Sequence, residues 1–236
     1  MSGQNNVAVI TIDGPSGAGK GTISRIVAKK LDFNYLDSGA LYRLLGLASQ
    51  RHNVKLTSVN SLATLAEHMD ISFQTTKEGD FSIHLEGENV TRQLRTEETG
   101  ALASQVAKFP EVRAALLKRQ RAFACVPGLI ADGRDMGTEV FPDASIKLYL
   151  TASAEERASR RYKELLEKGE SVSLPALVEQ VRSRDESDMS RDASPLRPAE
   201  GAIEIDTSDM SIQDVTDTLL NILAVKGFKL SSQVTN

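Results

Sequence analysis

The segment Val9-Ile10-Thr11-Ile12-Asp13-Gly14-Pro15-Ser16-Gly17-Ala18-Gly19-Lys20-Gly21-Thr22 constrains this chain more than any other. Its apolar, β-branched start predicts a buried strand, its glycines predict a turn, and the residues from Lys20 onward predict a helix. That order gathers backbone N–H groups and a helix N-terminus at one spot, which is what a phosphate group needs. The backbone of Gly14, Pro15, Ser16, Gly17, Ala18, Gly19 and Gly21 would wrap the phosphates closely. Lys20 would reach the β- and γ-phosphates as a point charge, and Thr22 a phosphate or the shell of a magnesium ion. A lysine in the first turn of a helix is mildly unfavourable without an anion, because the helix dipole is positive there. One departure stands out: Gly21 follows the lysine, where the general phosphate-loop pattern has Ser or Thr.

Four further short aliphatic runs follow: Asn34 to Leu36, Leu129 to Ala131, Ile146 to Leu150 and Ile203 to Ile205. Helical patterns separate them, from about Ala40 to Gln50, Thr96 to Lys108, Glu111 to Cys125, Ala154 to Lys168, Leu174 to Met189 and Ile212 to Val225. Short, largely uncharged strands alternating with helices predict an α/β fold, a five-stranded parallel sheet flanked by helices on both faces. Residues 61–107 break the rhythm. There, Asp70 to Thr75 and Asp80 to Glu86 alternate polar and apolar residues about Lys77-Glu78-Gly79, which predicts an antiparallel hairpin in a small inserted subdomain. Residues 1–60 and 108–236 then form the core, with an Arg- and Glu-rich helical lid at about 155–191.

The 236 residues carry 28 Lys and Arg against 32 Asp and Glu, a net charge of -4, so no global basic surface invites nucleic acid or an anionic membrane. An anion must be held locally. A single cysteine, Cys125, excludes an intramolecular disulfide and fits a reducing compartment. The three histidines are scattered, which argues against a histidine metal site. Without a basic and apolar start, or an apolar run of about 20 residues, the chain is expected in the cytoplasm. No asparagine is followed by lysine, so the guanine reader of a switch GTPase is missing.

A kinase acting between two phosphates needs a second anion site and many cations near the transferred group. Ser38 and Arg43 follow the second strand, at the carboxyl end where open α/β sheets bind ligands. After the third comes Asp132-Gly133-Arg134-Asp135, with Asp132 placed as a magnesium-ordering carboxylate would be. Arg157, Arg160 and Arg161 share one helical face by their spacing, and so do Arg184, Asp188 and Arg191. Such spacing also describes an ordinary solvated face. Arg134 is the sharper candidate, because it follows a buried strand directly.

These residues together resemble the bacterial cytidylate kinases, a nucleoside monophosphate kinase family that phosphorylates CMP and dCMP from ATP. The resemblance runs through Ile12 to Thr22, Leu36 to Arg43, Ala103-Ser104-Gln105-Val106-Ala107, Arg119-Gln120-Arg121 and Ala131 to Gly137. Gly21 is usual in such kinases. The resemblance implies that Ser38, Ser104, Arg113, Arg134, Asp135, Arg184, Asp188 and Arg191 surround the monophosphate nucleotide, with Arg43 near its phosphate. It also implies ATP and Mg2+ and suggests a monomeric protein; from their places in the chain, Asp132 is expected to act on the metal through water, and Arg157 and Arg161 on the donor's phosphates. Lys20, Arg134 and Arg191 are then the expected catalytic cations. Cytosine offers an N4 amine, so Asp135 beside the donors Ser104 and Arg113 suits it.

Overall fold

The structure is a computed structural model that describes residues 7–75, 81–167 and 169–231. In chain order it runs β1 (Val9–Asp13), α1 (Lys20–Leu31), β2 (Asn34–Asp37), α2 (Ser38–Arg51), α3 (Val59–His68), β3 (Ile71–Thr75), β4 (Phe81–Leu85) and β5 (Glu88–Asn89). Then follow α4 (Glu97–Val106), α5 (Pro110–Arg121), β6 (Leu129–Asp132), β7 (Ile146–Thr151), α6 (Ala154–Glu167), α7 (Leu174–Met189), β8 (Ile203–Asp206) and α8 (Ile212–Val225). A short 3₁₀ turn covers Gln93–Arg95 and a π turn covers Met136–Val140. Two compact units emerge, one from the segments up to Asp37 and from Phe123 onward, the other Ser38–Ala122.

The first unit holds a sheet ordered β2-β6-β1-β7-β8, parallel throughout. The expected five-stranded α/β architecture is therefore present. Ile10, Ile12, Ile130, Leu148 and Leu150 are buried against the apolar faces of α1 (Ile23, Val27, Leu31) and α8 (Val215, Leu219, Leu223). Each such side chain contributes about 1.5–3 kcal/mol by leaving water. β1 lies centrally, with β6 on one side and β7 on the other, so the chain reverses its winding there and opens a crevice beyond the carboxyl ends.

Every strand runs one residue past the apolar run that announces it, and four of the five end in aspartate: Asp13, Asp37, Asp132 and Asp206. The reason is backbone pairing. Asp132 is in register with both Ile12 and Asp37, so the ladder continues through a charged residue at the carboxyl end of the strands. Sequence patterning stops at the last apolar residue, whereas hydrogen bonding does not.

In the same unit, α6 and α7 pack through Ala158, Leu165 and Leu177, with Tyr162 and Val181 against them. The Ser153 hydroxyl accepts the N–H of Glu156 at 3.1 Å and caps the start of α6. Lys168, assigned to the end of that helix, lies outside the described residues.

The second unit encloses the expected 61–107 insert and adds α2 and α5. Its three-stranded antiparallel sheet pairs Ile71 with Leu85 and Phe73 with Ile83. The expected turn at Lys77-Glu78-Gly79 lies outside the described residues. α3 was hidden in the sequence, because only Leu62 and Ala66, four apart, are its buried residues, too short an apolar stripe to announce a helix. Among the described residues no helix is long and apolar enough to cross a membrane.

Candidate active site

The glycine-rich loop joins β1 to α1 as the sequence predicts. Gly14 has φ of +144°, and a Cβ there would lie 1.9 Å from the Leu150 carbonyl oxygen, so β7 leaves no room for a side chain. Gly17 and Gly19 both take φ of +81°, and Gly19 caps α1. Lys20, the first helical residue, is buried, and its Nζ donates to the Pro15 carbonyl at 2.7 Å. The ammonium therefore closes over its own loop. Burial lowers its pKa to about 8, with Arg134 adding to the effect while Asp132, Asp13 and Asp188 oppose it. Thr22 is exposed and Gly21 half-buried.

Gly21 is explained by its neighbours. A Cβ at this position would meet Asp132 Oδ2 at 3.3 Å and the Tyr35 hydroxyl at 3.8 Å. Tyr35 donates its hydroxyl hydrogen to Asp132 Oδ2 at 3.3 Å. Burial pushes the Asp132 carboxyl up to about 7, and Asp37 adds to this, while Lys20 and Arg134 pull it down. The Tyr35 phenol is raised in turn, by burial and then by the charge of Asp132. Tyr35 was not a sequence candidate; its position in β2, in register with Ile130 of the strand carrying Asp132, is the signal that could have found it.

Arg134 donates through Nε to Asp188, and Asp188 also faces Arg191 at 3.6 Å. Burial opposes the charge on Arg134, but Asp188, Asp132 and Asp135 outweigh it and raise its pKa. Burial likewise pushes Asp188 up, and Arg134, Arg191 and Arg184 overcome that and hold it below its ordinary value. Arg134, Asp188 and Arg191 are thus one ion cluster. Arg191 lies beyond the end of α7 at Met189, so it does not share a helical face with Arg184 and Asp188 as its spacing suggests; its Nη2 donates to the Ser194 carbonyl at 3.0 Å. Asp135 is buried and stands immediately before the π turn.

The three lid arginines part company. Arg157 is buried and donates to the carbonyls of Ala152 at 2.9 Å and Ser16 at 3.0 Å, and to both oxygens of Asp185. It ties the phosphate loop to α7. Arg160 turns to the end of β8, donating to the carbonyl of Thr207, and Arg161 pairs with Glu164 at 2.8 Å.

Within the second unit, Ser38 opens α2 and donates to Gln120 Oε1 at 2.7 Å, both residues being buried. In the sequence Gln120 appears only within the Arg119-Gln120-Arg121 stretch of the resemblance, with no role of its own. Arg113 donates to the Ala107 carbonyl at 3.1 Å and lies over the Tyr42 ring, 5.5 Å from its centroid. Arg43 donates to the Leu94 carbonyl, and the Ser104 hydroxyl to the Gly100 carbonyl at 3.2 Å.

Among the described residues no three His, Cys, Asp or Glu gather into a metal cage. The donor set suits magnesium all the same, since this ion keeps several waters and binds through one or two carboxylates and substrate phosphates. Asp132, buried beside Gly21 and under the influence of Lys20, is the carboxylate so placed.

A glycine-rich loop with a buried lysine at the switch point of a parallel sheet, backed by a carboxylate and an arginine cluster, defines a phosphate-loop kinase. The cytidylate kinase family model matches residues 10–225. A cytidylate kinase from Colwellia psychrerythraea is 56% identical over 217 residues, spanning 92% of this chain and 96% of the relative. One from a Marinomonas species is 55% identical, spanning 94% of this chain and 98% of the relative. Another, from Stutzerimonas stutzeri, is 55% identical, spanning 92% and 96%. The chain belongs to the cytidylate kinase family of nucleoside monophosphate kinases.

Proposed function

We propose that the protein transfers the γ-phosphoryl group of ATP to CMP or dCMP, giving ADP with CDP or dCDP. The observation that carries this reading is the company kept by Lys20: a buried ammonium at a phosphate loop, within the electrostatic reach of Asp132 and Arg134. Its pKa of about 8 keeps it charged at neutral pH. On arrival of the donor, Lys20 exchanges the Pro15 carbonyl for phosphate oxygens, a stronger, charge-assisted partner. The acceptor phosphate is already an ionised nucleophile, so no base and no covalent intermediate is required. Catalysis is in-line positioning and charge neutralisation.

Magnesium, held through water by Asp132 and by the phosphates, would supply charge neutralisation across the β- and γ-phosphates. Gly14, Pro15, Ser16, Gly17, Ala18, Gly19, Gly21 and Thr22 cradle the donor. Arg157, by holding the Ser16 carbonyl, and Arg161 serve its phosphates. Arg134 and Arg191 bind the acceptor phosphate and spread charge in the transition state, with Arg43 assisting. Asp135 accepts the cytosine N4 amine, Ser38, Ser104 and Arg113 complete the nucleotide's contacts, and Arg184 with Asp188 binds ribose. Uracil presents an acceptor where cytosine presents a donor, and an unpaired buried carboxylate costs about 1–3 kcal/mol, enough for tenfold discrimination. Its resemblance to the family supports a monomer acting on free nucleotides in the cytoplasm.

The test is ADP formation from MgATP with CMP, dCMP, UMP, AMP and GMP supplied separately, beside a control without acceptor. Turnover strongest with CMP and dCMP supports the reading. A preference for another acceptor overturns the base assignments, and silence with all five overturns the reaction.

A further inference from the structure

Asp13 has no part in the reaction proposed above, yet both of its carboxylate oxygens are engaged. It ends β1, is 3% exposed, and uses both oxygens: Oδ1 accepts the Met136 N–H at 2.8 Å and Oδ2 the Gly137 N–H at 2.7 Å. These two amides open the π turn, where the turn itself provides no acceptor. Arg134 and Asp135 come immediately before. On their other side, Gly133 donates its N–H to the Ile12 carbonyl at 3.1 Å, an extension of the β1–β6 ladder. The two residues are therefore a short bridge fastened to β1 at both ends, by the backbone of Ile12 and by the side chain of Asp13.

We infer that Asp13 is a positioning residue for the acceptor nucleotide: its carboxylate clamps the amides of Met136 and Gly137 and so fixes how Arg134 and Asp135 are presented. The chemistry favours a carboxylate here. Ser or Thr offers one oxygen, and Asn would turn an N–H₂ toward one of the amides, whereas aspartate accepts at both. Keeping a carboxylate in this place is costly, since burial pushes it up to about 7 in spite of the two amides. Gly137 completes the seat. A Cβ on it would lie 2.9 Å from Thr11 Oγ1 and 3.3 Å from Asp13 Oδ2, so any side chain lifts the turn off β1.

This inference rests on the reading that Arg134 and Asp135 bind CMP, and the experiment separates the two. CMP and ATP affinities are measured by calorimetry on the full chain, with steady-state KM and kcat, for Asp13→Asn, Gly137→Ala, the double variant and Arg134→Ala. A shift of a few tenths of an ångström in Arg134 and Asp135 should weaken CMP about tenfold. ATP affinity should stay within about twofold of the parent, and the double variant should be no worse than the more affected single one. A merely structural role predicts otherwise, since Asp13 also precedes Gly14 and a loosened strand end would harm ATP binding at least equally. If Asp13→Asn does not fold, Gly137→Ala approaches the same contact from the other side and decides alone. Equal loss of ATP and CMP affinity, or unchanged CMP affinity with Arg134→Ala impaired, overturns the inference and spares the reading. Unchanged CMP affinity in Arg134→Ala overturns both.

Discussion

Gly21→Ala separates stability from catalysis at the phosphate loop. Gly21 is the second residue of α1, and alanine is worth about 0.8–1.0 kcal/mol over glycine inside a helix, so a first-turn site should gain about half of that. The added methyl lies 3.3 Å from Asp132 Oδ2 and 3.8 Å from the Tyr35 hydroxyl. The first contact is tight and the second ordinary, so the carboxylate must give by a few tenths of an ångström while the fold stays put. A 0.5 kcal/mol gain should raise Tm by about 1–2 °C for a chain of this size. A misplacement of 1 Å can cost about a hundredfold in rate, so the smaller shift of Asp132 should lower kcat about five- to tenfold. Calorimetric melting and steady-state assays with MgATP and CMP read the two effects side by side. A raised Tm with kcat unchanged would refute the argument that transfer depends on where Asp132 sits. A lowered Tm would refute the account of why glycine occupies this position.

Lys20→Ala should lower kcat/KM about a hundred- to a thousandfold, the range for losing one preorganised donor, while melting stays cooperative because the lost ammonium was buried at a cost; turnover near the parent's would remove Lys20 from the reaction. Asp135→Asn should reduce the preference for CMP over UMP about tenfold, since an amide can present a donor; identical relative kcat/KM values would dismiss Asp135 as the base reader. Burial raises the folded-state pKa of Asp13 to about 7 against the pull of the two amides, so between about pH 4 and 7 the folded chain takes up a proton that the unfolded chain releases, and the two-oxygen clamp is complete only in the ionised form above that range. The stabilising contribution of that proton is complete below about pH 4 and is lost as pH rises toward 7, so Tm should fall less steeply between pH 5 and 7.5 in Asp13→Asn than in the parent. Parallel slopes in the two proteins would contradict that assignment.

The cradle was legible because its requirements are local: Gly14, Gly17 and Gly19 need backbone freedom within one turn, and Lys20 needs its place at the helix start. The parallel sheet was legible because its central strands, such as β1 and β6, are buried along their whole length and short aliphatic runs alternate with helical patterns. What sequence could not show were contacts made across the ladder or between elements distant in the chain. Asp13 meets Met136 and Gly137 more than a hundred residues away, and Tyr35 meets Asp132 only because β2 and β6 are neighbours. Arg157 and Arg160 look alike in a helical pattern, yet one is taken by the phosphate loop and Asp185 and the other by the end of β8. Spacing fixes which way an arginine leaves its helix; the neighbouring elements fix what it binds.

The ion cluster explains how several cations can be buried together in this unit. Isolated, a buried guanidinium or ammonium would be severely penalised. Here each is met by a carboxylate: Arg134 and Arg191 by Asp188, Arg157 by Asp185, and Lys20 by the field of Asp132. Arg157 has its guanidinium largely committed by four hydrogen bonds, which suits a residue that shapes the loop. Arg134 engages Asp188 through Nε, and a guanidinium has its Nη donors besides, so a phosphate can be received without breaking that pair. Asp188 thus neutralises Arg134 and fixes its orientation through Nε, which is the geometry the proposed acceptor-phosphate role of Arg134 needs.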